Sequence, residues 1–315
     1  MVERGRNRRA DVDLIGAADD ARQAAGLPSG GARYEVLPFG KVEEQAAQIP
    51  EPLRLTVTCS PKHGPERSIA LAARLRELGH VPTAHIAART VRDLAHLDAL
   101  LAGAAAARIE DIFVIGGDGD RPVGQFESAV ELLPLFAGRA QRPLTLGIAG
   151  YPEGHPLIDD DRLETALATK SRLADYLVTQ LCFDAEALRG WIVKQRERGI
   201  DLPIWIGVPG RVSAARLLEV STRVGVGPSL RFVRKQRSMQ NLFGLFGGLH
   251  SARARRLHRA LSGLVEDREL GIAGLQYFTF NQLLATWTWQ QSQGQATLAR
   301  ETTPRTQRVG ADVIR

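Results

Sequence analysis

An apolar run near the middle of the chain ends in side chains that could contact a ligand. Residues 144–150 are small and apolar, and Tyr151, Glu153, His155 and two prolines follow them. Proline ends a strand and stiffens the turn that comes after it. Ligands bind at the carboxyl ends of parallel strands in α/β folds. The pattern therefore predicts a ligand-binding turn behind a buried strand.

A candidate acid lies in another strand-like segment, near the start of the chain. Glu35 sits within Arg33-Tyr-Glu-Val-Leu-Pro-Phe39. A carboxyl group at the end of an apolar strand is partly desolvated, which raises its pKa and suits it to general acid catalysis near neutrality. The same pattern fits a glutamate held in a salt bridge inside the fold, and the residues alone favour neither interpretation.

A glycine-rich turn surrounds Asp118, in Val114-Ile-Gly-Gly-Asp-Gly-Asp120. Glycines leave the backbone open to a close ligand. The turn also resembles the nucleotide-contacting turn of NAD kinases and diacylglycerol kinases, but the further motifs of those enzymes are not found. It does not match the dinucleotide fingerprint, because no third glycine stands at the required offset.

Two further polar side chains stand at strand ends. Gln180 offers both a donor and an acceptor, which matches the amide edge of a heterocycle. The same sequence pattern fits a buried glutamine whose hydrogen bonds are made within the core. His85 is either a ligand-contacting ring or a buried core histidine. Histidine, cysteine and aspartate do not cluster at metal-ligand spacing, so the sequence predicts no metal site.

Strand-like and helix-like segments alternate along the chain. The predicted strands are 33–38, 53–58, 82–86, 111–115, 144–149, 176–181, 203–208 and 274–279. The predicted helices are 66–78, 91–107, 125–137, 160–173, 185–199, 213–224 and 255–270. Eight strands joined by helices predict an α/β fold, a single (β/α)8 TIM barrel. A doubly wound sheet with fewer central strands is the alternative.

Composition divides the chain into three parts. Residues 1–31 are rich in Arg, Asp and Gly, and residues 292–315 are rich in Gln, Thr and Arg. We expect these to be an N-terminal and a C-terminal tail around a barrel at 32–291. The segment 228–252 is longer than an ordinary loop, and we expect it to cover the top of the barrel.

Bulk properties limit the classes of protein and partner. No apolar run reaches the roughly 18 residues of a membrane span, and the arginine-rich N-terminus has no apolar region of a secretory signal behind it. The 2 cysteines predict reduced thiols in a cytoplasmic protein. The net charge of +6 suits a dinucleotide or a polyglutamylated substrate. Nucleic acid is not favoured, because no aromatic interleaving accompanies the basic clusters.

Taken in chain order, these segments resemble the motifs of one enzyme family. Tyr151-Pro-Glu-Gly-His-Pro156 is similar to Tyr-Pro-Glu-x-His-Pro, and Thr179-Gln180 with Phe183-Asp184 resembles Thr-Gln-Phe-Phe-Phe-Asp, both of the methylenetetrahydrofolate reductase family. Other similar segments are Tyr34-Glu-Val-Leu-Pro38, Val57-Thr58, His85, Gly117-Asp118 and Gln276-Tyr-Phe-Thr-Phe-Asn281. The resemblance covers roughly residues 33–290.

The resemblance implies a (β/α)8 barrel that reduces 5,10-methylenetetrahydrofolate to 5-methyltetrahydrofolate. Glu35 would be the general acid at N10, and Asp118 would stabilise the iminium that forms. The substrate-binding residues it implies are Gln180, Tyr151, Asn281 and Thr58. The cofactor-binding residues it implies are His85, Gly117, His155 and Lys170.

The chain departs from the family at positions that hold the flavin. Gly116 stands where the family has an arginine, and Lys170 is displaced by one residue relative to the family's lysine. We therefore expect hydride to pass directly from NADH or NADPH to the folate, without FAD. The alternatives are the same reaction through bound FAD, a nucleotide-dependent kinase with the Gly-Gly-Asp-Gly turn, and a non-enzymatic barrel that binds pterin or nucleic acid.

Overall fold

A computed structural model describes residues 31–118, 121–155, 157–211 and 252–301, with side chains from 256 to 292 in the last range. Most of the two predicted tails, the predicted helix 213–224 and nearly all of the segment 228–252 lie outside the described residues.

Eight parallel strands close into a barrel in which each strand pairs with its neighbours in the sequence, and β8 pairs with β1. The strands are β1 Arg33–Val36, β2 Arg54–Val57, β3 Val81–Ala87, β4 Asp111–Ile115, β5 Thr145–Gly150, β6 Tyr176–Leu181, β7 Ile204–Pro209 and β8 Ile272–Phe278. The predicted (β/α)8 barrel is confirmed. The doubly wound sheet is wrong, because the sheet has no open edge.

Helices lie outside the barrel, with their apolar faces packed on the strands. They are α1 Val42–Ala46, α2 Gly64–Glu77, α3 Leu94–Ala106, α4 Ala129–Leu132, α5 Asp160–Lys170, α6 Ala185–Glu197, α7 Ala252–Gly263 and α8 Leu283–Glu301. The predicted helix 91–107 begins later, at Leu94, because the Asp93 side chain accepts from the backbone N–H of His96 and caps it there.

The predicted helix 125–137 is much shorter in the structure. Helix α4 ends at Leu132, and a single 3₁₀ turn, Leu133–Phe136, follows. Pro134 lies in that turn, and proline cannot donate the backbone hydrogen bond that a continuing α-helix needs.

Two helices were not foreseen from the sequence, α1 and α8. Helix α8 runs past residue 292, where the C-terminal tail was predicted to begin. Its attachment is specific, since Trp287 Nε1 and Gln291 Nε2 both donate to Glu51 Oε1, at 2.7 and 2.8 Å.

The amino-terminal end of the barrel is filled by a buried charged network. Arg33 donates to Asp111 and to Thr83 Oγ1, the latter at 2.9 Å. Tyr176 Oη donates to Asp111 Oδ1 at 2.9 Å. The Arg33 guanidinium lies 4.3 Å from the centre of the Tyr176 ring and 5.1 Å from that of Trp205. Because this end is filled, a ligand must enter from the carboxyl ends of the strands.

Candidate active site

Glu35 projects from β1 into the barrel. Its side chain is half-buried, and its Oε2 accepts a hydrogen bond from Gln276 Nε2 at 3.3 Å. Burial raises the pKa of Glu35 to about 8, and the hydrogen bond from Gln276 opposes part of that rise. At neutral pH the group is therefore a carboxylic acid with a proton to give.

The end of β1 is held in place by the turn after β8. Thr279 Oγ1 donates to the Glu35 carbonyl at 2.6 Å. Asn281 accepts from Leu37 N at 2.7 Å and donates to the carbonyls of Phe39 and Leu37, at 2.6 and 3.3 Å. Both amide hydrogens of Asn281 are thus engaged by the backbone. The predicted contact between Asn281 and the substrate gains no support, and its position fits support of the loop behind Glu35.

The glycine turn after β4 presents Asp118 at the mouth of the barrel. Gly117 has a φ of 98°, and a Cβ on it would lie 3.0 Å from the Ala87 Cβ. Both facts require glycine there. Asp118 is exposed. Burial raises the pKa of Tyr151 to about 12, and the charge of Asp118 adds to that rise, so the two side chains are neighbours.

The turn after β5 brings its predicted side chains to the same mouth. The rings of Tyr151 and His155 meet edge to face at 5.2 Å. Burial lowers the pKa of His155, while the charge of Asp118 opposes the change. Glu153 Oε1 accepts from Phe183 N at 2.6 Å, which ties this turn to the one after β6. The structure therefore brings Asp118, Tyr151 and His155 together at the mouth of the barrel.

Gln180 and Thr58 also lie at carboxyl ends of strands. Gln180 is exposed at the end of β6, where its Oε1 accepts from Leu181 N at 3.0 Å. Thr58 follows β2, and its backbone N–H donates to the Val36 carbonyl at 2.9 Å. Thr58 therefore lies beside the end of β1, close to Glu35 in the barrel wall.

Two residues predicted to bind a cofactor lie deeper than expected. His85 is buried inside the barrel, with its ring 4.7 Å from that of Phe113. Burial, with the charge of Arg33, lowers the pKa of His85 to about 3, so the ring is neutral. Lys170 is buried between α5 and β5, where its Nζ donates to the Ala149 carbonyl at 3.0 Å. Burial lowers the pKa of Lys170 to about 8.

Sequence reasoning missed the partner of the acid. Gln276 was noted only as part of a strand motif, yet it is the side chain that hydrogen-bonds Glu35. Its contact depends on β8 closing onto β1, where Gln276 pairs with Arg33. The alternation of inward and outward residues along β8 could have shown that Gln276 faces the interior.

No group of three His, Cys, Asp or Glu side chains in the described part of the chain could hold a metal ion. No helix among the described residues is long and apolar enough to cross a membrane.

Fold and site together define a (β/α)8 barrel with a protonated carboxylic acid inside the open end and polar residues of several strands around it. The model of the methylenetetrahydrofolate reductase family matches residues 43–225. The chain belongs to that family.

Individual relatives match only short stretches. The chain is 34% identical over 86 residues to "Methylenetetrahydrofolate reductase 1" of Schizosaccharomyces pombe, covering 26% of this chain and 14% of that protein. It is 28% identical over 110 residues to "Methylenetetrahydrofolate reductase 2" of Saccharomyces cerevisiae, covering 31% of this chain and 18% of that protein. The chain thus matches less than a fifth of the length of these curated relatives.

Solved structures offer a distant likeness. A putative lyase/mutase from Burkholderia cenocepacia J2315 is 16% identical, with 92% of this chain and 88% of that chain covered at a TM-score of 0.45. At that level the likeness carries no inference about this chain.

Proposed function

We propose that this protein reduces 5,10-methylenetetrahydrofolate to 5-methyltetrahydrofolate with hydride from NADH or NADPH. One folate, one reduced nicotinamide and one proton are consumed, and the oxidised nicotinamide is released. The observation that carries the proposal is Glu35, a carboxylic acid kept protonated near neutral pH inside the open end of a family barrel. Family membership supports the choice of folate as substrate.

Each step of this reaction needs one feature of the site. Glu35 would protonate N10, the bridge would open to an N5 iminium, and hydride would add to the methylene carbon. The charge of Asp118 would stabilise the iminium. Gln180, exposed at the end of β6, would bind the amide edge of the pterin, and Tyr151 and Thr58 would line the same space.

The residues present do not fit a flavin. Gly116 offers no charged side chain where the resemblance expects an arginine. The ammonium of Lys170 is held by the Ala149 carbonyl, and His85 is buried beside Phe113. No step of the proposal therefore passes through FAD. Gly117 and His155, which remain at the mouth, would contact the reduced nicotinamide.

The test is oxidation of NADH or NADPH by the purified full chain, followed by nicotinamide absorbance, with and without 5,10-methylenetetrahydrofolate. The expected result is oxidation that depends on the folate and yields 5-methyltetrahydrofolate. ATP consumption without folate reduction would instead support the kinase alternative. A salt-sensitive complex with nucleic acid and no turnover would support a binding protein.

The pH dependence follows from the acid. Because Glu35 must be protonated to act, we expect kcat/KM to be level at neutral pH and to fall about tenfold per pH unit above a pKa of about 8. The measurement is a pH profile at low folate and saturating nicotinamide. A profile that rises with pH through this range would contradict the acid role of Glu35.

Asp118 and Gln180 are expected to affect catalysis in different ways. Asp118→Asn removes the charge near the iminium and should mainly lower kcat, by roughly 10- to 100-fold. Gln180→Ala loses contacts made equally to substrate and transition state, and should raise KM for the folate by roughly 5- to 10-fold. Steady-state kinetics with each variant check both. Wild-type behaviour in both variants would place the pterin elsewhere.

The protein should be active without flavin. The expected preparation is colourless, and added FAD should not change the rate. Each missing charge-assisted contact to a phosphate weakens affinity by roughly 10- to 100-fold. Flavin absorbance that persists through purification at about one FAD per chain would show that other residues hold it.

A further inference from the structure

Polar side-chain atoms near Glu35 are buried and make no hydrogen bond to any described residue. Inside the barrel these are Thr56 Oγ1, Thr58 Oγ1, His85 Nε2 and Gln276 Oε1. Buried polar groups without partners are rare, and each is destabilising unless water or a ligand satisfies it.

The four atoms belong to strands on both sides of Glu35. Thr56 is the register partner of Glu35 on β2, and Gln276 bonds the Glu35 carboxyl from β8 through its other amide atom. His85 stands on β3, two residues after Thr83, the register partner of Thr56. Their side chains share the inner face of the barrel, since inward residues alternate along each strand.

One of the four residues lies at the open end of the barrel, although its Oγ1 is buried. Thr58 lies two residues beyond Thr56, at the carboxyl end of β2, and it is only half-buried. Thr56, His85 and Gln276 are buried, with at most 4% of each residue exposed. The set therefore extends from the mouth of the barrel to the level of the acid.

Water suits these atoms better than an apolar group. A buried water needs two to four polar partners. Here a hydroxyl, an imidazole nitrogen, an amide oxygen and the Glu35 carboxyl supply donors and acceptors within neighbouring strands.

We propose that Thr56, Thr58, His85 and Gln276 form an internal hydration site around Glu35, and that its water returns the proton to Glu35 after each turnover. The second part rests on the proposed function. In the reaction the O–H bond of Glu35 breaks as N10–H forms. The carboxylate then takes a proton from the adjacent water, and bulk solvent replaces it through the water at Thr58. This is the proton that the overall reaction consumes.

The hydration site can be tested without activity. A high-resolution crystal structure of the ligand-free protein should show ordered water within hydrogen-bond distance of His85 Nε2, Gln276 Oε1 and Thr56 Oγ1. Thr56→Val should remove part of that water. Protein atoms or empty density at these positions would overturn the hydration site, whatever the protein catalyses.

Proton return is tested by rapid mixing of Thr56→Val with NADH or NADPH and folate. The first turnover uses the proton already on Glu35, so its rate should match the wild type. Later turnovers should be about 2- to 10-fold slower, the fold-change that corresponds to one hydrogen bond. Because the slowed step follows hydride transfer, kcat/KM for the folate should stay unchanged.

A second variant and a control keep the test decisive. His85→Phe keeps a ring beside Phe113 and removes Nε2. If Thr56→Val does not fold, His85→Phe should show the same normal first turnover followed by slower turnovers. Thr90→Val is the control, because Thr90 is also buried but its Oγ1 already donates to the Ala87 carbonyl at 2.6 Å. The first and later turnovers of Thr90→Val should have the same rates as those of the wild type.

Equal rates in first and later turnovers of both site variants would overturn proton return. A wild-type protein that does not oxidise NADH or NADPH with the folate would overturn the proposed function and proton return together. The crystal structure would still decide the hydration site.

Discussion

Glu35→Gln should fold, bind folate with nearly unchanged affinity and lose most of its turnover. The amide keeps the shape of the side chain and can still accept the hydrogen bond that Gln276 donates to Oε2 at 3.3 Å. Only the proton for N10 is lost. General acid catalysis is worth roughly 10²–10⁴-fold, and we expect kcat to fall by a factor in that range.

The same substitution should make the protein more stable. The pKa of Glu35 is raised to about 8 in the folded state from an ordinary value of 4.5. The unfolded chain therefore loses its proton first as pH rises, and folding stability declines between these two values. Glutamine does not titrate, so Glu35→Gln should raise Tm at pH 8, and the gain should shrink as the pH is lowered toward 4.5.

Thermal unfolding and steady-state kinetics of the one variant thus give two readouts with opposite signs. Glu110→Gln is the matched control, because Glu110 is exposed just before β4 at the amino-terminal end of the barrel. Glu110→Gln should change neither Tm nor kcat. A Glu35→Gln protein that keeps turnover within a few-fold of the wild type would remove Glu35 from the acid role.

The barrel and its mouth could be anticipated from local pattern. Each strand is a short apolar run that ends in a polar or proline-bearing turn, and parallel strands place such ends at one face. The side chains that follow β4 and β5, Asp118, Tyr151 and His155, accordingly lie together at that face. The predicted ends of helices were less accurate. Asp93 starts its helix and Pro134 ends the α-helix before it through contacts within a single turn.

The contacts between side chains inside the barrel could not be predicted from local sequence pattern. Whether Gln276 meets Glu35 depends on closure between the first and last strands, about 240 residues apart in sequence. Lys170 and Asn281 carried family roles, yet their polar atoms are engaged by the backbone of Ala149, Leu37 and Phe39. Sequence pattern gives the type of a side chain and its strand, but its partners are set by tertiary packing.

Asp111→Ala should be the most destabilising single substitution at the amino-terminal end of the barrel. Asp111 accepts from Arg33, from Thr83 Oγ1 at 2.7 Å and from Tyr176 Oη at 2.9 Å. Only 5% of the Arg33 side chain is exposed. Its removal leaves a buried guanidinium without its counter-charge, and breaking such a pair costs about 3–5 kcal/mol. Urea or thermal unfolding measures the loss.

The ion pair of Arg139 with Asp98 provides the matched control. Its N–O distance is 2.6 Å, but 56% of the Asp98 side chain is exposed. Solvent screens this pair, so Asp98→Ala should cost no more than about 1 kcal/mol. Equal losses in Asp98→Ala and Asp111→Ala would contradict the assignment of a buried charged network.

The double variant Arg33→Met with Asp111→Ala distinguishes two contributions to the free energy of unfolding. One is the stabilisation by the Arg33–Asp111 ion pair, and the other is the cost of a buried guanidinium without a counter-charge. An apolar side chain at residue 33 removes the stranded guanidinium, and such replacements of buried pairs are often close to neutral. We therefore expect the double variant to regain about half or more of the stability that Asp111→Ala loses. A double variant as unstable as Asp111→Ala would show that the carboxylate acts through Thr83 and Tyr176, and not through the charge of Arg33.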